Sequence, residues 1–247
     1  MSAVTVRVLG CGDAFSSGGR LQTCYWLAWK GGQILLDCGA TALVGIARAG
    51  LDPGSLDGVV LTHLHGDHFG GVPFLLLQQH YVAERTRPLM IAGPEGTEAR
   101  LRQAFAVLFP GAETLRLRFP LRFEVLAPSI PRRLLGCRIA PFPMVHPSGA
   151  PSLGHRLRIA GRTIAFSGDT EWTEALVPLA AGADLFVCEC YAAEPKGRYH
   201  LDYQTLARHR GDLACSLLLL THLGATALAA RPRFEAEIAE DGMVLEI

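Results

Sequence analysis

Short apolar runs rich in Val, Ile and Leu recur along the whole chain. "VTVRVL", "TCYWLAW", "QILLD", "GVVLT", "LRLRF", "RFEVLA", "CRIAPFPMV", "HRLRIA", "TIAFS", "DLFVCE" and "SLLLLT" are each of strand length and bounded by Gly, Pro, Asp or Ser. Between some of them the spacing predicts helices over 40–49, 72–84, 95–109, 171–180 and 202–209, whereas 115–166 reads almost entirely as strand. Strand hairpins in the middle, with helices supplied before and after, predict two packed sheets covered by helices. "APSIPRRLLG" and "HPSGAPS" read as loops. With no repeat and no convincing linker, one domain is expected over 1–247.

Composition sharpens this only in places. At 247 residues and 49% hydrophobic, the chain can bury a large core. Its formal net charge of zero gives no field that would attract a polyanion, so a nucleic-acid role would have to rest on a local patch. Basic residues are 21 Arg and two Lys, a bias read as compositional. Arg116, Arg118 and Arg122 alternate along "LRLRFPLRFEV" and are read first as the solvated edge of a hairpin, with a phosphate-facing patch as the alternative. The N-terminus reads as a strand and not as a secretory signal, no apolar stretch is long enough to span a bilayer, and the chain is expected in the cytoplasm. Seven cysteines, with no CxxC pair and mostly beside apolar runs, read as buried reduced thiols. "CEC", Cys188 to Cys190, is the one close pair and is also read as structural.

Chemistry concentrates in "VVLTHLHGDHFGG", where three histidines and an aspartate fall in six positions. In an extended segment His63 and His65 point the same way and can close on one metal at a strand end. Asp67 and His68 lie beyond Gly66, enter the next helix and face a second position, so the spacing itself points to two metals. A mere cluster of loop histidines is disfavoured, because rings this close would repel one another or lose charge. The pattern of an apolar run ending in a ligand-type residue recurs at His146, Asp169 and His222. Strands that deliver such residues at their C-terminal ends can converge on one rim.

"HLHGDH", an isolated His, "SGDT" and "LTH", together with "VRVLGCGDAF", "ILLDCGA" and "DLFVCEC", fall in an order that resembles the ribonuclease Z-like branch of the metallo-β-lactamase superfamily across essentially the whole chain. The resemblance implies an α+β fold, a four-layer αββα sandwich with a dinuclear site at one edge. It assigns His63, His65 and His146 to one metal and Asp67, His68 and His222 to the other, with Asp169 bridging them. It also implies Asp67 as the group that orients the nucleophile, His200 in "GRYHLDYQTL" as a general acid and Glu189 as the residue that steadies it. Leu201 and Asp202 depart from the small hydroxyl residues that usually follow that histidine, and Asp202 is also a candidate helix cap. His80, His155 and His209 are read as structural, with His155 hydrogen-bonding near the site.

Nitrogen and carboxylate donors suit two divalent ions, zinc first and manganese or iron as alternatives. A Glu in place of His65 would point to a redox di-iron relative, so its absence favours hydrolysis. Ions about 3.5–4 Å apart supply a bridging hydroxide at neutral pH. Only 22 residues separate His146 from Asp169, most of them a strand hairpin, which leaves no room for the RNA-gripping arm of transfer-RNA-processing members. A homodimer could supply a gripping surface in trans. The expected activity is that of a phosphodiesterase on a small or short phosphodiester, such as a cyclic nucleotide, rather than on a large nucleic acid. The alternatives are a lactone or thioester hydrolase, and a non-catalytic metal-bearing protein that binds a small molecule or assists cofactor biosynthesis.

Overall fold

A computed structural model describes residues 3–247. Among the described residues, fourteen strands form two seven-stranded sheets. β1 (Thr5–Gly10), β2 (Cys24–Trp29), β3 (Gly32–Leu36), β4 (Gly58–Val60), β5 (Leu89–Gly93) and β6 (Leu121–Val125) lie side by side in that order in the first. β7 (Arg132–Leu134), β8 (Cys137–Met144), β9 (Ser152–Ile159), β10 (Arg162–Phe166), β11 (Ala183–Glu189), β12 (Cys215–Thr221) and β13 (Glu237–Ile238) do the same in the second. β14 (Val244–Glu246) returns to the first sheet beside β1. In each sheet hairpins make one half antiparallel, and β3 to β6 and β10 to β13 run parallel.

The strands are apolar on both faces because both are covered. Val6, Val8, Tyr25, Leu27, Ile34 and Leu36 face Ile139, Leu157, Ile164, Phe166, Leu185 and Val187 between the sheets. Each such side chain contributes about 1.5–3 kcal/mol of burial. Outside the first sheet, Trp26, Leu35, Val59 and Ile91 pack under α1 (Ala42–Arg48), α3 (Val72–Tyr81) and α4 (Thr97–Leu108). Outside the second, Ala165, Phe186 and Leu220 pack under α5 (Leu176–Ala180), α6 (Tyr203–Arg208) and α7 (Ala225–Ala230). The result is the αββα sandwich of an α+β fold. The remaining α-helix, α2 (Gly66–Phe69), is a single turn that follows the loop after β4.

Some expectations need correction. Leu115–Phe119 is not a strand: Arg118 N–H donates to His80 Nδ1 (3.1 Å), Phe119 is buried under the helices, and β6 starts only after Pro120. Arg116, Arg118 and Arg122 therefore share no strand face, although all three are exposed. The helix expected from Glu171 begins at Leu176, and Thr170 and Glu171 are instead engaged by the loop at Val145. Part of "APSIPRRLLG" is a strand, β7, joined to β8 through Leu135 (φ 52°) and Gly136 (φ 74°), the left-handed pair of a tight hairpin. Asp202 does cap a helix, accepting from Thr205 N–H at 2.8 Å. Among the described residues no helix is long and apolar enough to cross a membrane.

Candidate metal centre

The site lies where β4, β8, β10 and β12 end. β4 is followed by a loop through Thr62 and His63, and His65 is extended (φ −81°, ψ 150°) just before the chain turns into α2. His68 N–H and Phe69 N–H donate to the His65 carbonyl at 3.0 and 3.1 Å, so the single helical turn presents Asp67 and His68 beside His63 and His65. His146 follows β8 by two residues, Asp169 follows β10, and His222 follows β12 directly with a left-handed φ of 58°. The His222 N–H donates to the Cys11 carbonyl (3.0 Å), which ties this end of the second sheet to the first.

Asp37, just past β3 and fully buried, organises the floor of the site. Its Oδ1 accepts Thr62 N–H (2.7 Å), and its Oδ2 accepts the Thr62 hydroxyl (2.8 Å) and lies 2.7 Å from His68 Nδ1. A carboxylate only accepts, so His68 carries its proton on Nδ1. The Thr62 hydroxyl, already donating to Asp37, accepts from His63 Nδ1 at 3.0 Å. Both rings therefore turn Nε2 into the site, where neither nitrogen has a hydrogen-bond partner among the described residues. Buried polar atoms left in this way are costly unless something binds them. On the other side, His146 Nδ1 donates to the Tyr199 carbonyl (2.9 Å), which leaves Nε2 3.0 Å from His65 Nδ1.

The donor atoms fall into two main groups, each within 4.8 Å: His63, His65 and His146, and Asp67, His68, Asp169 and His222. Asp169 sits between them, with Oδ2 3.9 Å from His63 Nε2 and 3.8 Å from His146 Nε2, and Oδ1 3.2 Å from His68 Nε2. His222 Nε2 is 3.2 Å from Asp67 Oδ2 and 3.4 Å from Asp169 Oδ2.

Burial would raise both carboxyls, but the charges of His68 and His222 hold Asp67 and Asp169 well below the usual range. Burial alone would lower His222, yet Asp169 and the Asp67 hydrogen bond push it up to about 9. The same balance, with Asp169, Asp67 and Asp37 outweighing burial, raises His68. Burial and the neighbouring His68 charge drive His63 down. Ionised carboxylates thus demand positive charge at nitrogens that face inward, and cations displace those protons on binding. The residues fit divalent metal, and their nitrogen and oxygen donors suit zinc, with manganese or iron also matched.

His200 stands at the edge of this cluster, its ring 4.8 Å from that of His146 and stacked at 5.7 Å on that of His222. Its Nδ1 is 3.1 Å from Glu189 Oε2, which leaves Nε2 as its free nitrogen. Burial opposes protonation, but the hydrogen bond and charge of Glu189 raise the imidazole above its ordinary value. Glu189 is itself fully buried, and it also accepts from Thr170 N–H and Leu201 N–H.

The other candidates lie apart. His80 accepts from Arg118 N–H, and His209 stacks on Trp172 at 3.9 Å. His155 is buried and donates to the Leu61 carbonyl at 2.9 Å, one residue before Thr62. All seven cysteines are free, and Cys188 and Cys190 lie in the outer apolar layer of the second sheet. Asp37, Thr62, Glu171 and Tyr199 are the participants that sequence reasoning missed. For Asp37 a signal existed, since "QILLD" is one more apolar run closing on an acid.

Comparison with known proteins agrees with this fold. The family described as Anti-Pycsar protein Apyc1 matches residues 4–236. Uncharacterized protein ML1173 of Mycobacterium leprae is 32% identical over 232 residues, covering 90% of this chain and 79% of that protein. Ribonuclease Z of Shouchella clausii is 27% identical over 280 residues, covering 86% of each. The metallo-β-lactamase fold protein YhfI from Bacillus subtilis superposes with a TM-score of 0.78 at 22% identity, over 100% of both chains. The chain belongs to the Anti-Pycsar protein Apyc1 family, shares the metallo-β-lactamase fold and resembles proteins named ribonuclease Z along most of its length.

Proposed function

We propose that this protein is a dinuclear phosphodiesterase acting on a small or short phosphodiester, such as a cyclic nucleotide. The observation that carries the reading is the His200–Glu189 pair set against the seven-residue donor cluster. His63, His65 and His146 would hold one ion, Asp67, His68 and His222 the other, and Asp169 would serve both. When bound, two divalent ions activate water at neutral pH and neutralise charge that develops on the phosphoryl oxygens.

The chain supplies the rest. Asp67 lies 7% exposed at the front of the cluster, and its carboxylate orients the attacking water while it binds metal. His200, protonated and anchored through Nδ1, presents Nε2–H to the departing oxygen. Glu189 holds that ring in place and favours its charged form. A phosphodiester with an alkoxide leaving group needs such an acid far more than an acyl ester does, which ranks the phosphodiester above a lactone or thioester. The relatives named ribonuclease Z act on phosphodiester bonds, which supports the same class. Size follows from the stretch between His146 and Asp169: β9 and β10 take up most of it, and no arm extends from it.

The test compares leaving groups. His200→Ala should slow hydrolysis of an alkyl or cyclic phosphodiester by about 100-fold or more, and leave an activated p-nitrophenyl diester within a few-fold of wild type. Equal losses on both substrates would remove the acid role and the preference for phosphodiesters built on it.

A further inference from the structure

Three loops meet above His146 and close a ring of hydrogen bonds. Val145 N–H donates to Thr170 Oγ1 (3.0 Å), and Glu171 N–H donates to the Val145 carbonyl (3.1 Å). The Glu171 side chain then reaches across 28 positions of sequence to accept Tyr199 N–H at 2.9 Å. The Tyr199 carbonyl in turn accepts from His146 Nδ1 at 2.9 Å. Tyr199 sits at φ 76°, a left-handed conformation that a bulky residue adopts only when its surroundings enforce it. The next residue is His200, already placed beside Glu189.

We infer that Glu171 is a positioning residue for the metal side formed by His63, His65 and His146, acting through the backbone of Tyr199. The inference rests on reading those three histidines as donors to one ion. By holding Tyr199 N–H, the Glu171 carboxylate fixes one side of the Tyr199 backbone, and with φ set at 76° the carbonyl of the next peptide unit meets His146 Nδ1. That sets the His146 tautomer and turns Nε2 inward as a metal donor. The same clamp fixes where the chain enters His200, so one carboxylate aligns a donor and the acid together. Glu171 differs from Asp37 in touching neither a donor histidine nor the acid. Arg198 also approaches Glu171, with Nε 3.7 Å from Oε2, but its side chain is 70% exposed and such surface pairs add little. The hydrogen bond, not the ion pair, is the device.

The experiment is a chelator-competition titration with zinc on the wild type, Glu171→Ala, Glu171→Gln and Arg198→Ala. Glu171→Ala is expected to weaken one of two bound ions by about tenfold and leave the other unchanged. Glu171→Gln keeps an acceptor for Tyr199 N–H and should match wild type, as should Arg198→Ala. Loss confined to one ion, with rescue by glutamine, is a signature that general loosening of the fold would not give. Unchanged binding of both ions by Glu171→Ala, equal weakening of both, or a glutamine or Arg198→Ala variant as weak as alanine would each overturn the inference. A wild type that binds fewer than two ions would instead overturn the dinuclear reading, so the two failures are told apart.

Discussion

Asp37 touches no substrate, yet it fixes which nitrogen of His63 and of His68 faces inward, through Thr62 in one case and directly in the other. Removing it frees two rings at once, and partners of this kind are worth about 10- to 100-fold in metal affinity. Asp37→Ala should therefore lower zinc affinity by that factor at both ions, as read by competition with a chromophoric chelator; wild-type affinity would contradict the assignment. At this scale the seven candidate donors were legible because each closes an apolar run or sits in "HLHGDH", so type and position coincide. Asp37 carried the same mark in "QILLD", but its left-handed φ of 55° aims it beneath the site, and nothing local in the sequence announces that turn. Glu171 and Tyr199 were illegible for another reason. Their contacts join separate loops through backbone atoms, which carry no residue-type signal.

The elements explain why so short a segment can present four candidate donors. α2 lies against the turn after β3, where Cys38 N–H donates to the His68 carbonyl and Gly71 N–H to the Cys38 carbonyl. Glycines at 39 and 71 make this approach possible. A Cβ on Gly71 would collide with the Gly39 carbonyl and lie 3.1 Å from Cys38 Sγ, while one on Gly39 would strike the Asp67 carbonyl. The obstructing atoms are largely backbone and cannot swing away. Gly71→Ala should cost about 1–3 kcal/mol in a urea titration and should also weaken metal binding, since it displaces the turn that carries Asp67 and His68. A variant with unchanged stability and affinity would show that the turn is not held this tightly. Most strands and helices followed from apolar runs and their boundaries. The exceptions were segments whose backbone is claimed from outside: Leu115–Phe119 by His80 and the helical layer, and Glu171 by the Val145 carbonyl. α7 and the last two short strands went unforeseen, because the tail they form offers no long periodic run.

Over the whole molecule, two sheets with apolar inner faces bring strand ends together at one edge, and the candidate donors gather there. The His155 bond to the Leu61 carbonyl and the Leu153 N–H bond to the Thr62 carbonyl (3.0 Å) lock the two sheets at that edge. The αββα layering was legible because the order of strand-rich and helical segments admits few packings, and the resemblance in motif order selected among them. Substrate size was approachable only through a negative feature, the short span between His146 and Asp169 now filled by β9 and β10, together with a formal net charge of zero. Loops at such a rim can change without disturbing the donors, so substrate identity carries no equally plain mark in the sequence. The proposed function requires that two ions held by these seven residues hydrolyse a phosphodiester. It is tested most directly by titrating metal-free protein with zinc or manganese while following a phosphodiester, a lactone and a thioester in parallel. Phosphodiester hydrolysis should rise with the second metal equivalent, be abolished by Asp169→Ala, and exceed any acyl hydrolysis. Full activity at one equivalent, or turnover confined to the acyl substrates, would contradict it.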